Sequence, residues 1–303
     1  MGEQTTNPPP MVSEGDVMTA PIVAGADGTD AGLDAVALAA SLARATGDPL
    51  LVACIYPDGT QPGADADVRR HASEVLEVAR LAAGGAGVEL RAAPSTSSAR
   101  GLAELAEQER ARMLVVGSSN RGAIGRVVSG STAERLLHGT GCPVAVAPRG
   151  YRRPRAGLLR ALGVAFVDTA EGHEAVRVAA DLAARSGLPL TLYSVVAVTT
   201  NWFTPPVVRP EEDVVPEEVR KGYRDALDRA LAELPDGVQA SGVLLYGDVV
   251  DELSMVGEHR TDLLVCGSRG YGPVRRVLLG SVSAALVRQA SVPVLVVPRS
   301  GDT

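Results

Sequence analysis

Four residues in the second half of the chain, Gly267, Gly270, Gly280 and Ser281, are spaced for one kind of chemistry, the holding of an anion by main-chain groups. Glycine brings backbone N–H groups within reach of phosphate oxygens because no Cβ intervenes. The start of a helix adds unsatisfied donors and the positive end of its dipole. The run reads Gly267-Ser268-Arg269-Gly270, then nine residues, then Gly280-Ser281, with Val282 and Ser283 leading into a helical pattern. Arg275 and Arg276 lie between the glycines and could add cationic donors, or could simply be solvated.

The first half carries a variant of this run. It reads Gly117-Ser118-Ser119-Asn120, keeps the distance to Gly130-Ser131, and continues with Thr132. Asn120 stands where the second glycine belongs; asparagine tolerates left-handed backbone, but its side chain adds bulk where a phosphate would sit. Ser131 is followed three residues later by Glu134, the spacing of a capping box, which would compete with a phosphate for the same helix donors. The second half has Ala284 at that place and no such competitor. Asp27 and Asp168 each follow an apolar run, Ile22 to Ala26 and Val164 to Val167, and admit two readings, helix cap or acceptor for a ligand. Taken one at a time, the glycines and serines also read as turn and cap residues. Their joint spacing favours the anion site, more strongly in the second half than in the first.

The elements that must position these residues repeat along the chain. Leu114-Val115-Val116-Gly117-Ser118 returns as Leu264-Val265-Cys266-Gly267-Ser268. Pro143 to Arg149 is echoed by Pro293 to Arg299, and Ala35 to Pro49 by Ala175 to Pro189. Each copy alternates short β-branched runs with Ala-rich helical patterns, the signature of consecutive βαβ units. Strands are predicted near Ile22 to Ala26, Leu50 to Ile55, Val88 to Ala92, Met113 to Gly117 and Val144 to Ala147. In the second copy they fall near Gly163 to Val167, Leu190 to Val196, Val238 to Leu244, Leu263 to Gly267 and Val294 to Val297. Helices over 30–46 and 172–186 end at Gly47 and Gly187, each with a proline two residues on. The fold class is therefore α/β, two tandem doubly wound domains, each with a five-stranded parallel sheet. The domains are placed at 20–149 and 159–303, after a disordered tail over 1–19 and around a linker at 150–158. The extra length of the second copy falls in the Pro-rich, acidic segment from Thr199 to Lys221. Ligands on such sheets bind beyond the carboxyl ends of the strands, which selects the loops after the first and fourth strand of each copy.

With its duplication, G-x2-G-x9-G-S spacing and proline-led last strand, the chain resembles the universal stress protein family over nearly all of its length after Ala20. The resemblance implies an adenine nucleotide, ATP with Mg2+, held in the second domain by Gly267, Gly270, Gly280, Ser281, Val282 and Ser283. The corresponding first-domain residues are Gly117, Asn120, Gly130, Ser131 and Thr132. It assigns Asp27 and Asp168 to the adenosine end. It also implies a stress-response regulator that acts by nucleotide occupancy, with pairing through the last strands, either as a homodimer or as an intramolecular domain pair, and an unknown regulatory protein as partner. A nucleotide-free dimerisation scaffold and a slow nucleotide-hydrolysing enzyme are the alternatives.

Bulk properties narrow the partners. A net charge of -7 argues against nucleic acid and anionic membrane surfaces, which need a basic field. No apolar stretch approaches the roughly 20 residues of a membrane span, and the N-terminus lacks the basic start and apolar run of a signal peptide. Cys54, Cys142 and Cys266 lie in or beside apolar runs without metal-ligand spacing, and read as buried thiols of a reducing, cytoplasmic compartment. His71, His138, His173 and His259 are scattered and receive no catalytic role. Trp202-Phe203 reads as a packing anchor or a contact patch. No P-loop, no dehydrogenase GxGxxG and no evident general base accompanies the glycines, so fast hydrolysis is not expected.

Overall fold

The β-branched runs and the Ala-rich stretches between them fold into alternating strands and helices. The computed structural model describes residues 20–58, 64–85, 87–118, 131–152, 159–198, 215–259, 261–268 and 279–299. The first copy contains β1 (Ile22–Gly25), α1 (Asp30–Thr46), β2 (Leu50–Pro57), α2 (Ala64–Ala83), β3 (Val88–Ser95), α3 (Ser98–Gln108), β4 (Met113–Gly117), α4 (Ser131–Gly139) and β5 (Val144–Ala147). The second contains β6 (Leu162–Ala165), α5 (Ala170–Ser186), β7 (Leu190–Ala197), α6 (Glu217–Ala232), β8 (Ala240–Gly247), α7 (Val249–Ser254), β9 (Leu263–Gly267), α8 (Ser281–Gln289) and β10 (Val294–Val297).

The first helix of each copy is bounded by matching signals. Thr29 and Thr169 cap α1 and α5, each accepting through its side chain from the backbone N–H two residues into the helix's first turn, at Gly32 and Gly172. Gly47 and Gly187 end the helices in the left-handed conformation, at φ 73° and 67°. Ala35, Leu38, Ala39 and Leu42 form the buried face of α1, and the small alanines let its axis lie close to the sheet. Helices α1, α2, α5 and α6 cover one face of the sheet, and α3, α4, α7 and α8 cover the other.

Strand order corrects one expectation. The order is β3-β2-β1-β4-β5-β10-β9-β6-β7-β8, one continuous ten-stranded mixed sheet in place of two separate five-stranded sheets. Within each copy all pairs are parallel; the copies join where β10 runs antiparallel to β5, with Leu295 opposite Ala145. Both strands are buried along their whole length, so an unpaired edge at either would leave backbone N–H and C=O groups of an apolar strand without partners. The meeting of the copies through their last strands is as expected. Strand β8 starts at Ala240 and runs to Gly247, displaced from the expected Val238 to Leu244. It is a sheet edge with its first residues exposed, so apolar patterning does not mark its ends. The last residues of the expected insertion, Glu217 to Lys221, belong to α6; residues 199–214, including Trp202 and Phe203, lie outside the described residues.

Polar contacts tie the copies together on the α1 and α5 side. Asp48 has a fully buried carboxylate that meets Arg112 Nε at 3.1 Å and the Arg185 guanidinium, and accepts from Thr46 Oγ1 at 2.7 Å. Arg112 also reaches Asp181 of α5 at 2.7 Å. The start of the expected linker is held on α1: the N–H groups of Gly150 and Arg152 donate to the buried Asp34 at 2.6 and 3.0 Å, and the Arg152 side chain pairs with Asp30. The rest of that segment, 153–158, lies outside the described residues.

Removing the buried carboxylate should leave Arg185 without a carboxylate partner and Arg112 with Asp181 alone, whereas Asp181 is about half exposed and keeps its hydration. Asp48→Ala is expected to lower stability by about 2–3 kcal/mol and Asp181→Ala by less than about 1 kcal/mol. Urea unfolding followed by circular dichroism checks both, and equal losses would refute this account of the junction.

Candidate functional site

Each copy has the strand order in which the chain departs from its central strand to one side and then the other, so a crevice opens between the carboxyl ends of β1 and β4, and of β6 and β9. A cavity of about 220 Å³ occupies this place in the first copy, bordered by Gly25, Asp27, Gly117, Ser118, Ser131 and Thr132. Its counterpart in the second copy is about 320 Å³ and is bordered by Val167, Gly267, Ser268, Gly280, Val282 and Ser283. Of the glycine-run residues among the described residues, Gly117, Ser131 and Thr132 border the first cavity and Gly267, Gly280, Val282 and Ser283 the second, whereas Ser281 does not border it.

The first glycine of each run has a packing reason to be glycine. A Cβ on Gly267 would lie 2.6 Å from the carbonyl oxygen of Glu171, and one on Gly117 would lie 2.1 Å from that of Ala31. The ends of β4 and β9 thus run directly against the first turns of α1 and α5. Next along the chain, the hydroxyls of Ser118 and Ser268 are buried with no hydrogen-bond partner among the described residues. A buried hydroxyl without a partner is costly, and both border the cavities, where a ligand oxygen could satisfy them.

Helix α8 presents its first turn to the second cavity. Gly280 is its cap residue, in extended conformation and without a side-chain hydrogen bond, so Ser281 is the first helical residue rather than the cap. The first-turn N–H groups have no intrahelical partner, and the cap residue supplies no side-chain acceptor for them. Ser283 donates from Oγ to the Gly267 carbonyl at 2.7 Å, which fastens the helix start to the strand end; Ala133 has no hydroxyl to do this in the first copy. Helix α4 is described from Ser131 onward, and the residue before it lies outside the described residues. Gly270, Asn120, Gly130, Arg275 and Arg276 lie outside the described residues.

The acidic residues separate. Asp27 borders the first cavity; its Oδ1 accepts from the N–H and the hydroxyl of Thr29 at 3.0 and 2.6 Å. Asp168 does not border the second cavity. Its Oδ1 meets His173 Nε2 at 2.8 Å and its Oδ2 accepts from Arg229 at 2.8 Å. With Thr29 and Thr169 matched as caps, Asp27 corresponds to Val167, and Asp168 corresponds to Gly28. The glycine contacts agree: a Cβ on Gly32 would strike Asp27, and one on Gly172 would strike Val167. The matching of Asp168 with Asp27 is thereby corrected by one residue. The signal was present in the repeat, because the spacing that relates Ala35 to Ala175 also relates Asp27 to Val167.

Other residues around the second cavity had no sequence signal. Tyr193 of β7 replaces Ala53 and sends its phenol to Thr261 Oγ1 at 2.8 Å. Glu171 replaces Ala31 and borders the cavity, with its carboxylate 4.0 Å from Arg299. Cys266 lines the floor of the cavity, and burial pushes its thiol up to about 12; burial likewise raises Cys142 to about 11 and raises Cys54. These thiols are protonated at neutral pH, as expected for inert core cysteines.

Comparison with known proteins gives one consistent result. The profile described as the universal stress protein family matches residues 18–148 and again 159–298. A universal stress protein of Mycobacterium tuberculosis is 32% identical over 231 residues, covering 75% of this chain and 78% of its own. A second from the same species is 32% identical over 200 residues, covering 63% of each. Among solved structures, a universal stress protein from Archaeoglobus fulgidus aligns over 92% of this chain and 98% of its own, with a TM-score of 0.68 and 18% identity, a likeness of fold.

The pairing of Asp168 sets a measurable titration. The hydrogen bond from His173, and next that from Arg229, hold its carboxyl below the ordinary 3.8. A depressed carboxyl contributes stability above its ordinary value and loses it as pH falls through the folded value. NMR titration of the Asp168 carboxyl is expected to give a midpoint below 3.8 that rises toward it in Arg229→Gln. A midpoint that does not move would show that Arg229 does not hold the carboxylate in solution.

Proposed function

Because the chain belongs to the universal stress protein family, we propose that it is a stress-response regulatory protein that acts by nucleotide occupancy, with ATP and Mg2+ taken up in the second copy. The observation that carries this reading is the buried, unpartnered hydroxyl of Ser268 beside the uncapped first turn of α8, two donor sets directed at one cavity. On this reading the backbone around Gly267, Gly270 and Gly280 and the first-turn groups of Ser281, Val282 and Ser283 hold the phosphates. Mg2+ arrives on the phosphates and offsets their charge. Among the described residues, no group of three or more His, Cys, Asp or Glu could hold a metal ion by itself. The first copy is a second site through Gly117, Ser131 and Thr132, with Asp27 accepting from the adenosine part. Asp168 receives no ligand role, since His173 and Arg229 occupy its oxygens.

Occupancy is enough for regulation. A ligand that binds one conformation better than another shifts the balance by that difference, with no turnover required. The buried unpaired thiols fit a reducing cytoplasmic setting, and no helix among the described residues is long and apolar enough to cross a membrane. The carboxylate of Glu171 favours a second reading, a slow hydrolase, because it could position a water at the phosphate end. A nucleotide-free scaffold is the third, supported by the β5 and β10 junction alone.

Mass spectrometry of small molecules released from freshly purified protein, with calorimetry of ATP and Mg2+ against the wild type and Gly270→Val, separates these readings. The expected result is an adenine nucleotide in the released fraction and a loss of second-site affinity of at least about tenfold in the variant. Steady-state phosphate release is expected below about 1 per second. Faster turnover that disappears in Glu171→Gln would make the protein an enzyme, and no nucleotide in either experiment would leave the scaffold.

A further inference from the structure

The two cavities share one set of groups and differ in the rest. Ser118 or Ser268 brings a buried hydroxyl with no partner among the described residues, and the first residues of α4 or α8 border the same cavity. Gly280, the cap of α8, supplies no side-chain acceptor to the first N–H groups of its helix. Elsewhere the polar positions change. Asp27, Ser98 and Thr132 border the first cavity, and Val167, Val249 and Val282 take their places in the second. The matching rests on helix starts: Thr29 with Thr169 before α1 and α5, Ser97 with Asp248 before α3 and α7, and Ser131 with Ser281 opening α4 and α8. Three side chains that hydrogen-bond are replaced by three that do not.

The remaining changes add apolar surface. Phe166 stands for Ala26 and Tyr193 for Ala53, and Tyr223 of α6 brings a third ring. Tyr193 and Val195 share one face of β7 and pack in one cluster with Leu253 of α7. Most hydroxyls of this wall are engaged: Tyr193 with Thr261 at 2.8 Å, Thr169 as the cap of α5, and Ser283 with the Gly267 carbonyl at 2.7 Å. Glu171, in place of Ala31, runs against the trend, and Arg299 lies 4.0 Å from its carboxylate. Val167 is 54% exposed and Val249 and Val282 are partly exposed, which leaves apolar surface for a ligand to cover.

A nucleoside that enters such a wall gives up water around its ribose hydroxyls and base edge and finds few side-chain partners in return, at a cost for each group left unpaired. A saturated chain has no such cost and gains from each methylene it buries. Resting on the phosphate end of the nucleotide reading above, we infer that the second cavity also receives amphipathic phosphates, in which a phosphate group is esterified to an apolar chain. The head sits at Ser268 and the first turn of α8, and the chain lies along Phe166, Tyr193, Val195 and the three valines. Nucleotide and amphipathic phosphate then compete for the second copy. The first cavity, which has Asp27, Ser98 and Thr132, excludes the chain.

Calorimetry of the full chain with octyl phosphate, kept below its micelle-forming concentration, tests this beside inorganic phosphate, octanol, and ATP with Mg2+. Octyl phosphate is expected to bind at a single site, at least about tenfold more tightly than either half of the molecule. Hexyl phosphate, two methylenes shorter, is expected to bind about tenfold more weakly than octyl phosphate. The combined variant Val167→Asp, Val249→Ser, Val282→Thr gives the second cavity the side chains of the first. It should lower octyl phosphate affinity by at least about tenfold while ATP affinity holds or rises, with an unfolding midpoint that shows it is folded. Val282→Thr alone, which keeps the shape of the side chain, should lower it by about threefold. No binding of octyl phosphate to the wild type, or binding that neither folded variant weakens, overturns the inference, and ATP binding in the same samples leaves the nucleotide reading standing. Octyl phosphate bound as expected without ATP supports the inference and overturns the nucleotide reading instead.

Discussion

The arrangement of both cavities follows from one close approach, the end of a strand pressed against the first turn of a helix. At Gly117 and Gly267 the backbone lies so near the carbonyls of Ala31 and Glu171 that no side chain could be accommodated. The last helix of each copy, α4 or α8, brings its first turn to the same cavity. The crevice between two neighbouring strands then acquires a floor from the sheet, one wall from the first helix and donors from the last. A larger residue at either position would move α1 or α5 away from the sheet before any ligand was considered. The glycine is thus a packing requirement, and the packing alone is sufficient reason for it.

The β5 and β10 junction places the two cavities within reach of each other. Helix α4 borders the first cavity with Ser131 and Thr132, and at its other end His138 Nδ1 accepts from the N–H of Leu279, the residue before Gly280 of the second. On the opposite face, α1 starts at the first cavity and touches α5, which starts at the second. The buried Asp34 of α1 holds the chain that leaves the first copy, and Asp48 joins Arg112 and Arg185 across the junction. A shift of α1 or α4 on ligand binding would therefore disturb polar contacts that the second copy shares. Interactions of this kind have discrete arrangements, which is the physical condition for two sites to influence one another.

Much of this was legible from residue pattern. Thr29 and Gly47, with their counterparts Thr169 and Gly187, mark helix ends by short-range chemistry that needs no tertiary information. The proline-led apolar runs at Val144 and Val294 announced buried strands, and their pairing followed because neither could remain an edge. The strand extents at β8 were not legible, because an exposed edge lacks the alternation that burial imposes. Ser131 and Ser281 looked like caps because serine is a good cap; the structure gives that position to Gly280 in the second copy, whose fit depends on backbone path rather than side-chain preference. The correspondence of Asp168 with Asp27 failed for a simpler reason: two acids one residue apart in register look alike in sequence, and only the helix caps count the residues between. The unpartnered hydroxyls of Ser118 and Ser268, and the aromatic wall at Tyr193, depend on what the fold places opposite them and left no local trace.

Duplication within one chain changes what each copy has to supply. The first retains the acceptor Asp27 but has Asn120 where its loop would need a second glycine; the second retains the glycine spacing but has Val167 at the acceptor position. In separate chains each loss would weaken a site that had to do everything. Joined through β5 and β10 they share one sheet and one junction of buried charge, so each copy is stabilised by the other whichever ligand it holds. Free energy from binding in one cavity is then available to the whole molecule, and the two cavities can differ in chemistry without differing in the structural change they favour. On that basis the asymmetry between Asp27 and Val167 is a difference in the chemistry of the two cavities, imposed on a scaffold that they share.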